Sequence, residues 1–167
     1  MASVTVVEIR EANDDDWAVI WPIFREVVRA RETYAFDPEI SSDAARAVWM
    51  ERPPGRTAVA LFDGRVVGSA KMGPNRQGPG SHVGTASFMV SAQARGCGVG
   101  RALAHDVVEW HRRRGFHGIA FNAVVETNEA AVALWQDLGF EIVGTVPEAF
   151  AHPRNGLVGL HVMWLAL

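Results

Sequence analysis

The sequence predicts one α/β domain, residues 1–167, in which a mixed β-sheet carries helices on both faces. Three observations predict it. β-rich and helical runs alternate along the whole chain in the order β-α-α-β-β-β-α-β-α-β-β. Asp63-Gly64 joins two early β runs in a tight hairpin, which makes an antiparallel pair. A strand–helix–strand unit in the middle makes a parallel connection, so the sheet is mixed. Hydrophobic residues make up 49% of the chain, too many for a disordered tail. No repeat, low-complexity tract or linker divides it.

The elements follow in order. Residues 4–9 form a short β-rich run. Asn13 or Asp14 caps a helix whose apolar positions Trp17, Ile20, Trp21, Phe24, Val27 and Val28 keep the helical period; Pro22 inside it predicts a kink or a later start. Residues 31–40 lack a period and read as a loop. Ser41 or Ser42 caps a second helix over 43–50, ended by Pro53-Pro54. Strands over 57–62 and 65–72 flank the hairpin turn. The glycines and prolines of 73–80 make a loop, and 83–90 is a strand. A helix follows the glycines of 96–100 and runs to Arg114, with Gly115 closing it. Residues 116–125 are a strand, 128–138 a helix with Gly139 after it, and 140–146 and 157–165 the last strands.

A formal charge of −3 argues against a nucleic-acid partner, which a basic face would mark. The cluster Arg112-Arg113-Arg114 falls in the last turn of a helix, where positive charge complements the dipole. No apolar run approaches the ~18 residues of a membrane span, so no membrane partner is expected. The N-terminus lacks a basic stretch followed by an apolar one, which makes the cytoplasm the expected compartment. The single cysteine, Cys97, excludes an internal disulfide and a cysteine-built zinc site. The six histidines show no metal-ligand spacing, and no metal is expected.

The most informative stretch is Arg95-Gly96-Cys97-Gly98-Val99-Gly100-Arg101, between a strand and a helix. Glycines allow backbone conformations closed to other residues and remove side chains that would block a ligand. The free N–H groups of the next helix's first turn then face an anion. This is a cradle for a phosphate or pyrophosphate, or else a turn that only reverses the chain. A P-loop is excluded because Gly100 is followed by Arg101-Ala102. A dinucleotide fingerprint is excluded because the glycines run at 96, 98 and 100, in mid-chain.

The Arg-Gly-x-Gly-x-Gly spacing after a strand resembles the acetyl-coenzyme A motif of the GNAT superfamily of N-acetyltransferases. A second signature resembles that family's asparagine-led helix: Asn128-Glu129-Ala130-Ala131-Val132-Ala133-Leu134-Trp135, followed by Leu138-Gly139-Phe140. The resemblance covers roughly residues 4–165. It implies a sheet splayed between the strand before the glycine loop and the strand after its helix, with acetyl-CoA in the gap and coenzyme A as product. It places the backbone of Met89 and Val90 against pantetheine. The amides of Gly96, Cys97, Gly98, Val99, Gly100 and Arg101 take the pyrophosphate. Arg95, Asn128 and Trp135 complete the cofactor site.

Acetyl transfer to an amine needs a neutral nitrogen, and an alkylamine has a pKa near ~10. It also needs a donor for the developing oxyanion, which the resemblance assigns to the Val90 N–H. Two positions depart from the family's common pattern. Trp135 stands where many members have an acidic tyrosine, and Thr85 and Ser87 stand on the strand where many carry glutamate. Asn122, in an otherwise apolar strand, and Glu126, at its end, are candidates to contact the acceptor or relay its proton. Tyr34, Phe36 and Thr85 complete the expected acceptor site, since the 34–39 stretch resembles the loop of amino-acid and phosphinothricin-type acetyltransferases. Cys97 lies at a helix N-terminus, which lowers a thiol pKa, yet direct attack by the amine needs no acyl-enzyme. The expected acceptor is a small-molecule amine, such as an amino acid or analogue. The alternatives are a protein or peptide N-terminus, or a non-catalytic coenzyme A sensor. The last strand, with Met163 and Trp164, serves either core burial or a homodimer interface.

Overall fold

The computed structural model describes residues 6–167. Within them lie strands β1 (Glu8–Glu11), β2 (Arg56–Phe62), β3 (Arg65–Pro74), β4 (Val83–Val90), β5 (Gly118–Val125), β6 (Glu141–His152) and β7 (Gly156–Ala166). The helices are α1 (Trp17–Ala30), α2 (Ser42–Trp49), α3 (Val99–Arg113) and α4 (Glu129–Asp137). The strands form one sheet in the order β1-β2-β3-β4-β5-β7-β6. Only β4 and β5 run parallel; the other neighbours are antiparallel. No described helix is long and apolar enough to cross a membrane.

Local chemistry sets most boundaries. Asn13 caps a 3₁₀ turn, Asp14–Asp16, that leads into α1, with its side chain accepting from Asp15 N. Pro22 does not stop α1, because it and Ala18, whose carbonyl it leaves unpaired, both face solvent. Ser41 caps α2 by accepting from Ala44 N. Asp63 and Gly64 take φ of 51° and 73°, the left-handed pair of a type I′ turn. The first strand differs from expectation: residues 4 and 5 lie outside the described residues, and β1 pairs over Glu8–Glu11. β3 continues past its expected end to Pro74, where β2 has already finished and no N–H is missed. β6 runs on to His152, well past 146. It lies at the sheet's edge and absorbs Pro147 in a bulge between Val146 and Phe150, where Glu148 has φ of 54°.

Alternation along the strands divides the core between the two faces. Val59 and Met89 pack under α1 and α2 with Ile20, Phe24 and Trp49. Ala58, Ala60, Ala70 and Met72 pack under α3 with Leu103 and Val107. Ile119, Phe121 and Met163 meet Trp135 of α4 and Phe140. Met163 is 0% exposed, so of the two interface candidates it belongs to the core. The large apolar side chains left exposed near that edge are Ile142, Val143, Val146 and Leu157.

The sheet opens between β4 and β5. Only Val83↔Gly118 and Gly84↔Ile119 are paired. Both glycines at this vertex are close-packed: a Cβ on Gly84 would overlap the His111 ring of α3, and one on Gly118 would overlap Trp164. His111 is fully buried and donates from Nδ1 to Val107 O at 2.8 Å. Burial pushes its pKa below the ordinary histidine value, so this wedge stays uncharged.

Candidate functional site

The gap between β4 and β5 widens into a cleft of about 800 Å³ that reaches both faces of the sheet. Its β4 wall follows from the ladder. Ser91 N donates to Val67 O of β3 at 2.8 Å. Backbone groups alternate sides along a strand, so Met89 turns its own toward β3, while Phe88 and Val90 turn theirs into the gap. Met89 pairs with Ser69 and buries its side chain under α1 and α2. It therefore does not offer its backbone to the gap as expected; Phe88 does, beside Val90. The Phe88 groups are bridged by one hydroxyl: Tyr34 O–H donates to Phe88 O and accepts from Phe88 N, both at 2.7 Å. Tyr34 thus supplies the partner that β5 withdraws. Enclosure pushes its pKa up to about 12 and keeps it protonated.

The glycine loop closes one end. Gly96 and Gly98 both have φ of 79°, a left-handed conformation that turns the chain into α3. Among the described residues, the amides of Gly96, Gly98, Val99, Gly100 and Arg101 have no backbone acceptor. Five free N–H groups at the start of a 15-residue helix make the anion cradle. Cys97 departs from the expectation: its amide donates to Ala94 O at 3.3 Å, and its exposed thiol does not line the cleft. Arg95 and Arg101 add positive charge at the rim, Arg101 while pairing with Asp137 at 2.9 Å.

The α4 wall carries Asn128 and Trp135. Asn128 caps α4 through Oδ1, which accepts from Ala131 N at 3.4 Å, and its NH₂ has no partner among the described residues. Thr127 Oγ1 beside it is buried with no partner, sealed from the cleft. Trp135 sits against Phe88 and Phe121, with ring centroids 4.6 and 4.9 Å away. The free amides fit a pyrophosphate, the Asn128 amide a polar arm, and the Phe88–Phe121–Trp135 slot a thioester.

On the α1–α2 side the cleft is lined by Thr85, Ser87, Tyr34 and Asn122. Asn122 forms a reciprocal amide pair with Asn75, at 2.7 and 3.1 Å. Glu126 is not there. A bulge between Phe121 and Val124 adds a residue to β5 and reverses the faces beyond it. Glu126 then accepts from Gly159 N of β7 and does not line the cleft. Phe36 is also elsewhere, packed on Phe24 at 5.4 Å in the core. Among the lining residues that sequence reasoning missed are Glu32, His152, Arg154 and Asn155. They sit on the α1–α2 loop and at the end of β6 with the turn after it, about 120 residues apart, and no local pattern joins them.

Comparison with known proteins agrees with this geometry. The model of the acetyltransferase (GNAT) family matches residues 11–140. A GCN5-related N-acetyltransferase from Kribbella flavida is 59% identical and superposes with a TM-score of 0.94, covering 96% of this chain and 98% of that one. The yncA structure from Salmonella typhimurium, solved with its cofactor acetyl-CoA, is 26% identical with a TM-score of 0.84, over 96% and 94% of the two chains. The N-acetyltransferase aca1 of Schizosaccharomyces pombe is 34% identical over 99 residues, 58% of this chain and 47% of that protein. The chain thus spans less than half the length of that curated relative. With the family's model over most of the chain, and the splayed strands and anion cradle in place, the chain belongs to the acetyltransferase (GNAT) family, whose acyl donor is acetyl-CoA.

Proposed function

We propose that this domain moves the acetyl group of acetyl-CoA directly onto the amine of a small molecule. The observation that carries the reading is the free Val90 edge of β4, set between the anion cradle and an acceptor end that opens on the α1–α2 face. Bound acetyl-CoA supplies a thioester; the amine nitrogen attacks its carbonyl carbon, the C–N bond forms, the C–S bond breaks, and coenzyme A leaves as thiolate. Val90 N–H holds the carbonyl oxygen as it gains charge. Phe88, Phe121 and Trp135 keep water from the thioester. Trp135 is a donor without acid character, so it does not protonate the thiolate, which needs little help at a pKa near ~8.5.

Among the described residues, no unpaired carboxylate lines the cleft to act as a general base. Glu126 is tied to Gly159, and Glu32 to Arg154 at 2.6 Å. That second pair also bridges the α1–α2 loop to the β6–β7 turn, which favours a compact acceptor over an extended peptide. The amine then loses its proton to water. The rate is expected to follow the neutral fraction of the amine, with kcat/KM rising about tenfold per pH unit up to the amine's own pKa near ~10. Thiol release measured with alkylamines, amino acids and short peptides between pH 6.5 and 9.5 tests both points. A plateau set near neutral pH would reveal a base on the protein, and peptides outperforming small amines would overturn the acceptor class.

A further inference from the structure

The acceptor end of the cleft is walled by the α1–α2 loop and the β6–β7 turn. His152, the last residue of β6, lines it and is 8% exposed. Its Nδ1 accepts the backbone N–H groups of Arg154 and Asn155, each at 3.2 Å. A ring nitrogen that accepts two N–H groups carries no proton, so the neutral ring holds its proton on Nε2. Nε2 has no partner among the described residues, and it is not sealed off from the cleft. His152 therefore presents a fixed donor on a residue more than nine-tenths buried, and a donor so placed calls for an acceptor.

Next to it, Arg154 uses Nη2 for Glu32 and keeps its other N–H groups. Its side chain is 74% exposed, so those groups are open to a ligand. The other ion pair near this end, Lys71–Glu51, does not compete. It borders a pocket of only about 70 Å³, and Lys71 also donates to Val48 O at 2.6 Å.

We propose that the acceptor carries a carboxylate beside its amine, and that the Nε2–H of His152 and the guanidinium of Arg154 bind that carboxylate. The two then set acceptor specificity, and the amine faces Val90. This rests on the acetyl-transfer reading of the cleft.

The test compares thiol release from acetyl-CoA with amino acids and with the matching amino-acid amides, using wild type, His152→Asn and Arg154→Gln. Asparagine keeps an oxygen for the two turn amides and lacks the Nε2–H. Arg154 is exposed enough to be replaced without disturbing the fold. Wild type is expected to favour acids over amides by about tenfold or more in kcat/KM, mostly through KM. In each variant the preference shrinks to a fewfold at most, while acetyl-CoA affinity by calorimetry stays unchanged. Equal rates with acids and amides in wild type overturn the proposal, as does a preference that survives both variants. If wild type releases no thiol with any of these amines, the transfer reading fails and this proposal with it.

Discussion

Replacing Gly98 by Asp is expected to weaken acetyl-CoA binding by about 100-fold or more while leaving the chain folded. Gly98 has φ of 79°, which costs an ordinary side chain roughly 1–2 kcal/mol, yet a Cβ there meets nothing within 4 Å. The fold therefore accommodates the change. The loss comes from placing a carboxylate among the free amides of the anion cradle, against a pyrophosphate. At a half-solvated site each close like-charge pair is worth ~1–4 kcal/mol, and ~2.7 kcal/mol is 100-fold. Gly98→Asn separates charge from shape, since Asn tolerates the left-handed conformation and carries no charge. Calorimetry should show a much smaller loss for Asn than for Asp. Equal losses would mean the loop is read by shape alone.

Tyr34→Phe is expected to lower kcat roughly tenfold to a hundredfold, with acetyl-CoA affinity little changed. The lost hydroxyl leaves Phe88 N–H and C=O unpaired in the gap, at a cost of ~1–3 kcal/mol each where water does not replace it. Val90 lies two residues further along the same edge, so its N–H loses its fixed position, and small misplacements of an oxyanion donor are costly. A stability measurement distinguishes this role from simple packing. The Tyr34 pKa of about 12 lies above the ordinary value of 10. The folded state thus holds the proton more tightly than the unfolded chain. The stability tied to it is complete below pH 10 and lost as pH rises from 10 to about 12. Wild type should lose melting temperature across that window, and Tyr34→Phe should lose less.

The parts of this molecule that local chemistry dictates were legible in its sequence. β4 begins and ends at Val83 and Val90 as its β-rich run suggests, Asn128 caps α4, and Asp63-Gly64 turns the hairpin. The family and its donor followed from two motifs, each continuous in sequence. What the sequence hid depends on register and long-range contact. A bulge in β5 moved Glu126 away from Asn122, although both are even-numbered positions on one strand. Strand parity gave the gap to Phe88 rather than Met89, and only the paired structure sets that parity. The expected β6 stopped at Val146, because nothing local announces the bulge that accommodates Pro147. The Tyr34–Phe88 bridge spans 54 residues, and the Glu32–Arg154 pair joins two loops with no shared pattern.

A structure determined with acetyl-CoA tests the central claim most directly, because one experiment locates both ends of the donor. The pyrophosphate should lie on the amides of Gly96, Gly98, Val99, Gly100 and Arg101, and the thioester oxygen should accept from Val90 N–H inside the β4–β5 gap. A pyrophosphate bound away from the glycine loop, or a thioester lying outside that gap, would contradict the account.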